Sequence, residues 1–256
     1  MQVNSWQGTI IVALLLCLVC SGVVSFTANN LRAQQEENVK LDVKKNLLLS
    51  AGLIASKDVP KPEIEKAYKN VEAKVVDLET GKYIDDAPND FDARAAAKDA
   101  SRNVEIPADK DIAKNRYRAK WANVYLIKEN GQPTSLVLPV SGYGLWSTMY
   151  GFLTLDTDTR TVKGLGFYEH AETPGLGGEI ENENWKAQWP GKTVLDAQYK
   201  PEFTVEKGGY AKGTTSVDAL SGATITSRGV EKLVHYWLGD HGYGPFLNQF
   251  RDSIVE

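Results

Sequence analysis

The chain has 256 residues, of which 42% are apolar and 24% charged, ordinary proportions for a globular protein. Its net charge of −4 supplies no basic face for nucleic acid, so binding to DNA or RNA is not expected. Its two Cys, Cys17 and Cys20, both lie near the N-terminus and exclude a fold built on disulfides.

The first element expected is a membrane helix. No Asp, Glu, Lys or Arg precedes Arg32, and Thr9 to Phe26 is almost wholly apolar. At 1.5 Å per residue, about 20 residues of helix span the roughly 30 Å hydrocarbon layer. A cleaved signal peptide wants a basic start, which Met1 to Gly8 lacks. A lipoprotein signal wants a small residue before the Cys, where Leu16 and Val19 stand. Residues 1–32 therefore read as an uncleaved single-pass anchor, with Trp6 near one interface. Cys17 and Cys20 share a face of this helix at i, i+3 and read as small apolar residues at a helix contact. Arg32, Lys40, Lys44 and Lys45 follow the span, with no Lys or Arg ahead of it. A strict count of positive charges thus puts the following domain in the cytoplasm.

Apolar residues at Val39, Val43, Leu47, Leu48 and Ile54 predict a helix over 33–55, which Pro60 and Pro62 stop. A short helix is expected at Lys61 to Val71, then a hairpin of Lys74–Leu78 and Lys82–Ile84 about Thr80-Gly81. Asp85 to Lys120 is poor in large apolar groups and reads as a surface excursion with one helix at Phe91 to Arg102. Asn130-Gly131, between Trp121–Lys128 and Thr134–Val140, is the strongest hairpin signal, because Asn-Gly suits the type I′ turn. Met149–Leu155 and Val162–Tyr168 form a second pair around the turn-rich stretch 156–161. A short helix at Trp185–Trp189, a strand within 194–206, a helix starting near Thr226 and a closing helix at Pro245–Ile254 complete the chain. The fold class expected is α+β: one antiparallel sheet packed by helices, in a single domain over 33–256 behind the anchor.

Chemistry concentrates at Asp218 to Val230, which reads D-A-L-S-G-A-T-I-T-S-R-G-V. Val230, Leu233, Val234 and Trp237 recur at helical spacing, so the first amides of a helix fall within this stretch. Those amides are unpaired donors at the positive end of the helix dipole, a ready site for an anion. Gly222 permits a tight turn or a close approach of the backbone to a ligand. Taken alone, the stretch also reads as an ordinary helix capped by Thr226 or Ser227.

His170 to Glu179 reads H-A-E-T-P-G-L-G-G-E. Its glycines do not form the dinucleotide fingerprint, since Ile180 stands where G-x-G-x-x-G requires Gly. The loop is either a plain Pro174-Gly175 turn or a backbone lying flat against a planar ligand. In the second case Leu176 offers an apolar face, and Thr173 and the loop amides bond the polar rim. Gly142 to Ser147, G-Y-G-L-W-S, offers Leu145 and Trp146 as apolar surface for such a ligand or for the core. Lys207 is either a solvated surface cation or a point charge for a phosphate. His170 and Glu172 fall short of the three or four ligands that zinc needs, so no metal is expected.

D-A-L-S-G-A-T-I-T meets every fixed position of the pattern D-x-x-S-G-A-T-x-S/T found in proteins that carry FMN covalently. With the apolar N-terminus, G-Y-G-L-W-S and H-A-E-T-P-G-L-G-G-E, the chain resembles, essentially end to end, the C subunit of the Na+-translocating NADH:quinone oxidoreductase. The G subunit of the Rnf electron-transport complex is of the same kind and is the nearest competitor. The resemblance implies FMN attached through a phosphoester to Thr224, and a loop of Thr173, Gly175, Leu176 and Gly177 lining it. Leu145, Trp146, Lys207, Ser221, Gly222, Ala223 and Thr226 complete the expected pocket. Asp218, Ser221, Gly222, Ala223 and Thr224 are implied to form the sequence read by the flavin transferase that attaches the cofactor. The chain is then an electron carrier with no catalytic side chain and no NADH site of its own. Other subunits of a complex in the bacterial inner membrane would oxidise NADH, reduce quinone and export Na+. The resemblance also implies a periplasmic domain, against the charge count, and long domains do translocate largely regardless of nearby charge. The alternative from a different class is a membrane-anchored scaffold with no redox role.

Overall fold

The computed structural model describes residues 5–88 and 91–255. Met1 to Asn4 of the expected anchor, and Asn89 and Asp90 of the expected surface excursion, lie outside the described residues. The chain divides into two compact units, Met1–Val43 and Lys44–Glu256. One helix, α1, runs over Trp6–Ser50, because no Pro or Gly interrupts the chain between Phe26 and Ser50. It is long and apolar enough to cross a membrane.

The second unit is built on a sheet. After α2 (Lys61–Tyr68), started by Pro62 in its first turn, come β1 (Val71–Asp77), α3 (Ala93–Ala97), β2 (Asn103–Glu105) and β3 (Tyr117–Ala119). Then follow β4 (Trp121–Glu129), β5 (Gln132–Tyr143), β6 (Thr148–Asp156) and β7 (Val162–Glu169). Strands β1, β4, β5, β6 and β7 lie side by side in that order, antiparallel throughout. Asn130 and Gly131 join β4 to β5 with φ of 52° and 82°, the left-handed pair that a type I′ turn needs. Beyond the sheet lie a 3-10 turn (Gly177–Glu181), α4 (Glu183–Lys186), β8 (Thr204–Glu206), β9 (Ser216–Asp218), α5 (Thr224–Leu238) and α6 (Gly244–Val255).

Three local expectations hold with changes of extent or partner. The hairpin about Thr80-Gly81 forms but is short: beside the antiparallel bridge of Val76 and Tyr83, the Asp77 amide donates to the Lys82 carbonyl and the Ile84 amide to that of Val75, and the Asp77 carboxylate closes the turn by accepting from the Glu79 and Thr80 amides. All seven residues of β1 also pair with β4 along the other edge of the strand. The helix expected at Phe91 to Arg102 stops at Ala97, since the Asp99 carboxylate turns the chain by accepting from the Ser101 amide. The strand expected within 194–206 is β8, which pairs in parallel with β9 apart from the main sheet.

Leu136, Val137 and Leu138 are all fully buried, so both faces of β5 are covered. On one face, α5 and the turn before α6 are tied to the strand: Trp237 Nε1 donates to the Ser141 carbonyl at 2.7 Å, and the Tyr243 hydroxyl to that of Pro139 at 2.8 Å. On the other, the Thr154 hydroxyl of β6 donates to Ser50 Oγ at 3.2 Å, where the end of α1 meets the sheet. Each fully buried Leu or Val of this core contributes about 2 kcal/mol.

Candidate cofactor site

Glu172 sits in the loop after β7 and is only 4% exposed. Its carboxylate accepts from the amides of Leu145 (3.0 Å), Trp146 (2.9 Å) and Ser147 (3.4 Å), and from the Thr226 hydroxyl at 2.5 Å. Burial pushes its pKa up, while the Thr226 hydroxyl and the three amides pull it down; the donors prevail and hold it below the ordinary value of 4.5. The group is therefore ionised at neutral pH. It draws together the β5–β6 loop, the loop after β7 and the first turn of α5. Gly177 completes this junction: a Cβ there would lie 2.5 Å from Thr226 Oγ1 and 2.8 Å from Glu172 Oε2. Two further bonds join the loops, from the Ala171 amide to Ser147 Oγ (2.7 Å) and from Trp146 Nε1 to Thr173 Oγ1 (3.1 Å).

The start of α5 is uncapped. Its N-cap is Ala223, which offers no side-chain acceptor to the helix amides, and the first turn holds no acidic residue. Thr226 gives its hydroxyl to Glu172, while Ser227 Oγ accepts from the Leu220 amide and donates to the Ala223 carbonyl. The reading of a helix capped by Thr226 or Ser227 is thereby overturned. Thr224 becomes the first helical residue, its side chain exposed beside exposed Ser221, Gly222 and Ile225. Gly222 adopts φ +71°, and a Cβ on it would lie 3.1 Å from Leu176 Cδ2, so Leu176 stands directly over the S-G-A-T turn.

Leu145, Trp146, Leu176 and Ile225 all expose large apolar surface, with Trp146 at 63% and Ile225 at 58%. Single exposed apolar residues are commonplace, but these four stand on segments fastened together through Glu172. The set fits FMN: free helix amides and an exposed hydroxyl for a phosphate ester, and apolar side chains with the Thr173 hydroxyl and loop amides for a flat ring with a polar rim.

Not every expected residue joins in. Thr226, expected to touch the cofactor, is buried and instead holds the loops through Glu172. Lys207 is exposed just past β8, its ammonium 5.9 Å from the Tyr210 ring centre. Among the described residues no hydrogen bond or ion pair links Lys207 to 221–226. Asp218 braces the approach to the motif, its Oδ1 accepting from the Tyr210 and Ala211 amides. His170 turns to Glu181, Nε2 to Oε1 at 3.1 Å. Sequence reasoning, which considers Glu172 only as a metal ligand, missed its role at this junction. A lone acid inside an otherwise Gly-rich and apolar loop was the available signal.

Residues 144–239, which include this whole junction, match the model of the FMN-binding domain family. The C subunit of the Na(+)-translocating NADH-quinone reductase of Yersinia pestis is 41% identical over 256 residues, covering 99% of this chain and 96% of the relative. The equivalent C subunit of Haemophilus ducreyi is 45% identical over 250 residues, covering 97% and 95%. This chain belongs to that family of C subunits. The crystal structure of Shewanella oneidensis NqrC agrees, with a TM-score of 0.76 at 36% identity over 82% of this chain and 97% of that one. The C subunit from Parabacteroides distasonis gives 0.65 at 27% identity over 85% and 96%. Membership decides between this family and the G subunit of Rnf. As a C subunit, the chain is one component of a multi-subunit membrane complex.

Proposed function

We propose that this chain carries FMN as a phosphoester of Thr224 and passes electrons within a membrane NADH:quinone reductase coupled to Na+ export. The observation that carries the reading is the uncapped first turn of α5, where Thr224 presents an exposed hydroxyl within S-G-A-T. In the net reaction Thr224 Oγ1 forms a bond to the FMN phosphorus while a P–O bond of FMN breaks, that oxygen and the hydroxyl proton leaving as water, and the phosphate then lies at the positive end of the helix dipole. When bound, FMN supplies the electron chemistry, and the protein positions it and sets its surroundings. Leu145, Trp146, Leu176 and Ile225 give the ring an apolar seat, Thr173 and the loop amides bond its rim, and Glu172 keeps those segments in register.

NADH oxidation and quinone reduction belong to other subunits, because this chain has no dinucleotide fingerprint. The domain lies on the periplasmic side, where a lost cofactor has no pool to replace it, and a covalent tether answers that. A flavin transferase attaches FMN by reading Asp218 to Thr224, of which Ser221, Gly222 and Thr224 stand exposed. In-gel fluorescence under ultraviolet light, after denaturation, tests the tether. Wild type co-expressed with the transferase is expected to glow and Thr224→Ala to be dark. A fluorescent Thr224→Ala band would move the attachment elsewhere, and a dark wild-type band would favour the scaffold reading.

A further inference from the structure

A cavity of about 430 Å³ is lined by none of the residues assigned to the cofactor. Trp237, which lines it, is thirteen residues along α5 from Thr224, about 20 Å at the helical rise. Its walls are α3 and β3 on one side and the sheet on the other, so it opens beneath the surface excursion that follows β1. Trp121, Tyr150, Tyr168 and Trp237 give it flat aromatic walls.

Three cations, Arg94, Lys98 and Arg118, line this space, and among the described residues no Asp or Glu does. Arg94 is matched by a fork onto Glu169, at 2.6 and 2.8 Å, and stacks on Tyr150 with its guanidinium 3.7 Å from the ring centre. Arg118 is different. It is 9% exposed, donates to the Ala119 carbonyl at 3.1 Å and stands beside the Tyr236 hydroxyl. Among the described residues no carboxylate pairs with it. Asp111, which also acts on Tyr236, has its carboxylate on the amides of Asn115 and Arg116.

A buried guanidinium without a counter-ion is costly, and its forked donors suit a carboxylate. The volume falls in the range of small-molecule sites, which combine apolar walls with a few placed polar groups. We propose that this cavity binds a small planar organic anion, with its carboxylate on Arg118 and its ring between the aromatic walls. Lys98, exposed at the rim, adds attraction for the anion as it enters.

The test is calorimetric titration of the full-length chain in detergent with 2-naphthoate, and with 2-naphthamide as the uncharged match. Saturable binding of the acid is expected, with the amide weaker by about tenfold, as the loss of a charge-assisted contact implies. Arg118→Gln should weaken the acid to the level of the amide, and Arg118→Lys should fall between. Ala97→Phe, which fills the cavity wall and leaves Arg118 in place, should abolish binding of both probes and keeps the test valid if Arg118→Gln fails to fold. Equal affinity for acid and amide, binding unchanged in Ala97→Phe, or no saturable binding of the acid would each overturn the proposal.

Discussion

Glu172 shows what one side chain can organise. Replacing it by Gln keeps the shape but removes the charge on which three amides and one hydroxyl converge, at a cost of about 2 kcal/mol. Its folded-state pKa lies below its unfolded value, so its contribution is present above the ordinary carboxylate range and is lost as pH falls through the folded value. Melting temperature measured from pH 7 downward should therefore drop more steeply below about pH 4 in wild type than in Glu172→Gln. Parallel curves would remove the carboxylate from this role. Thr224→Ala, by contrast, alters an exposed side chain that caps nothing, and should change stability by less than about 0.5 kcal/mol. The difference between these residues explains what the sequence disclosed. S-G-A-T and its hydroxyls are contiguous, so their chemistry is written locally. The partners of Glu172 are backbone amides 25 to 27 residues away and one hydroxyl 54 residues away, which no side-chain pattern announces.

Among the elements, those defined by their own periodicity were legible: the Asn-Gly hairpin of β4 and β5, the β6–β7 pair, and α5 with its buried Val230, Leu233, Val234 and Trp237. Those decided by distant partners were not. β1 gains β4 as a second partner beside its short local hairpin, and the stretch read as a surface excursion supplies Arg94, Lys98 and Arg118 to a cavity closed by strands up to 75 residues away. Contact between the 3-10 turn and α5 can be probed at Gly177. An Ala there drives its methyl into Thr226 Oγ1 and Glu172 Oε2, so the two elements must part, costing about 1–3 kcal/mol. Thermal melts of Gly177→Ala should show the loss, and hydrogen exchange should rise at the Leu145 to Ser147 amides. Exchange rising elsewhere but not there would mean that the junction tolerates the methyl.

For the whole molecule, the open matter is the side of the membrane on which residues 44–256 work. The positive charges after the span favour the cytoplasm, and the function proposed for the domain favours the periplasm. A reporter active only outside the cytoplasm, fused after the last residue, is expected to be active; activity of a cytoplasmic reporter in its place would reverse the orientation. Deleting residues 1–31 should leave a soluble protein retained in the cytoplasm, checked by fractionation. The central claim, however, is one covalent bond. Intact mass of the full-length chain co-expressed with the flavin transferase tests it most directly. The account predicts an increment equal to FMN less one water, mapped by peptide fragmentation to Thr224 and absent from Thr224→Ala. An unmodified wild-type mass, or an increment that survives in Thr224→Ala, would contradict it.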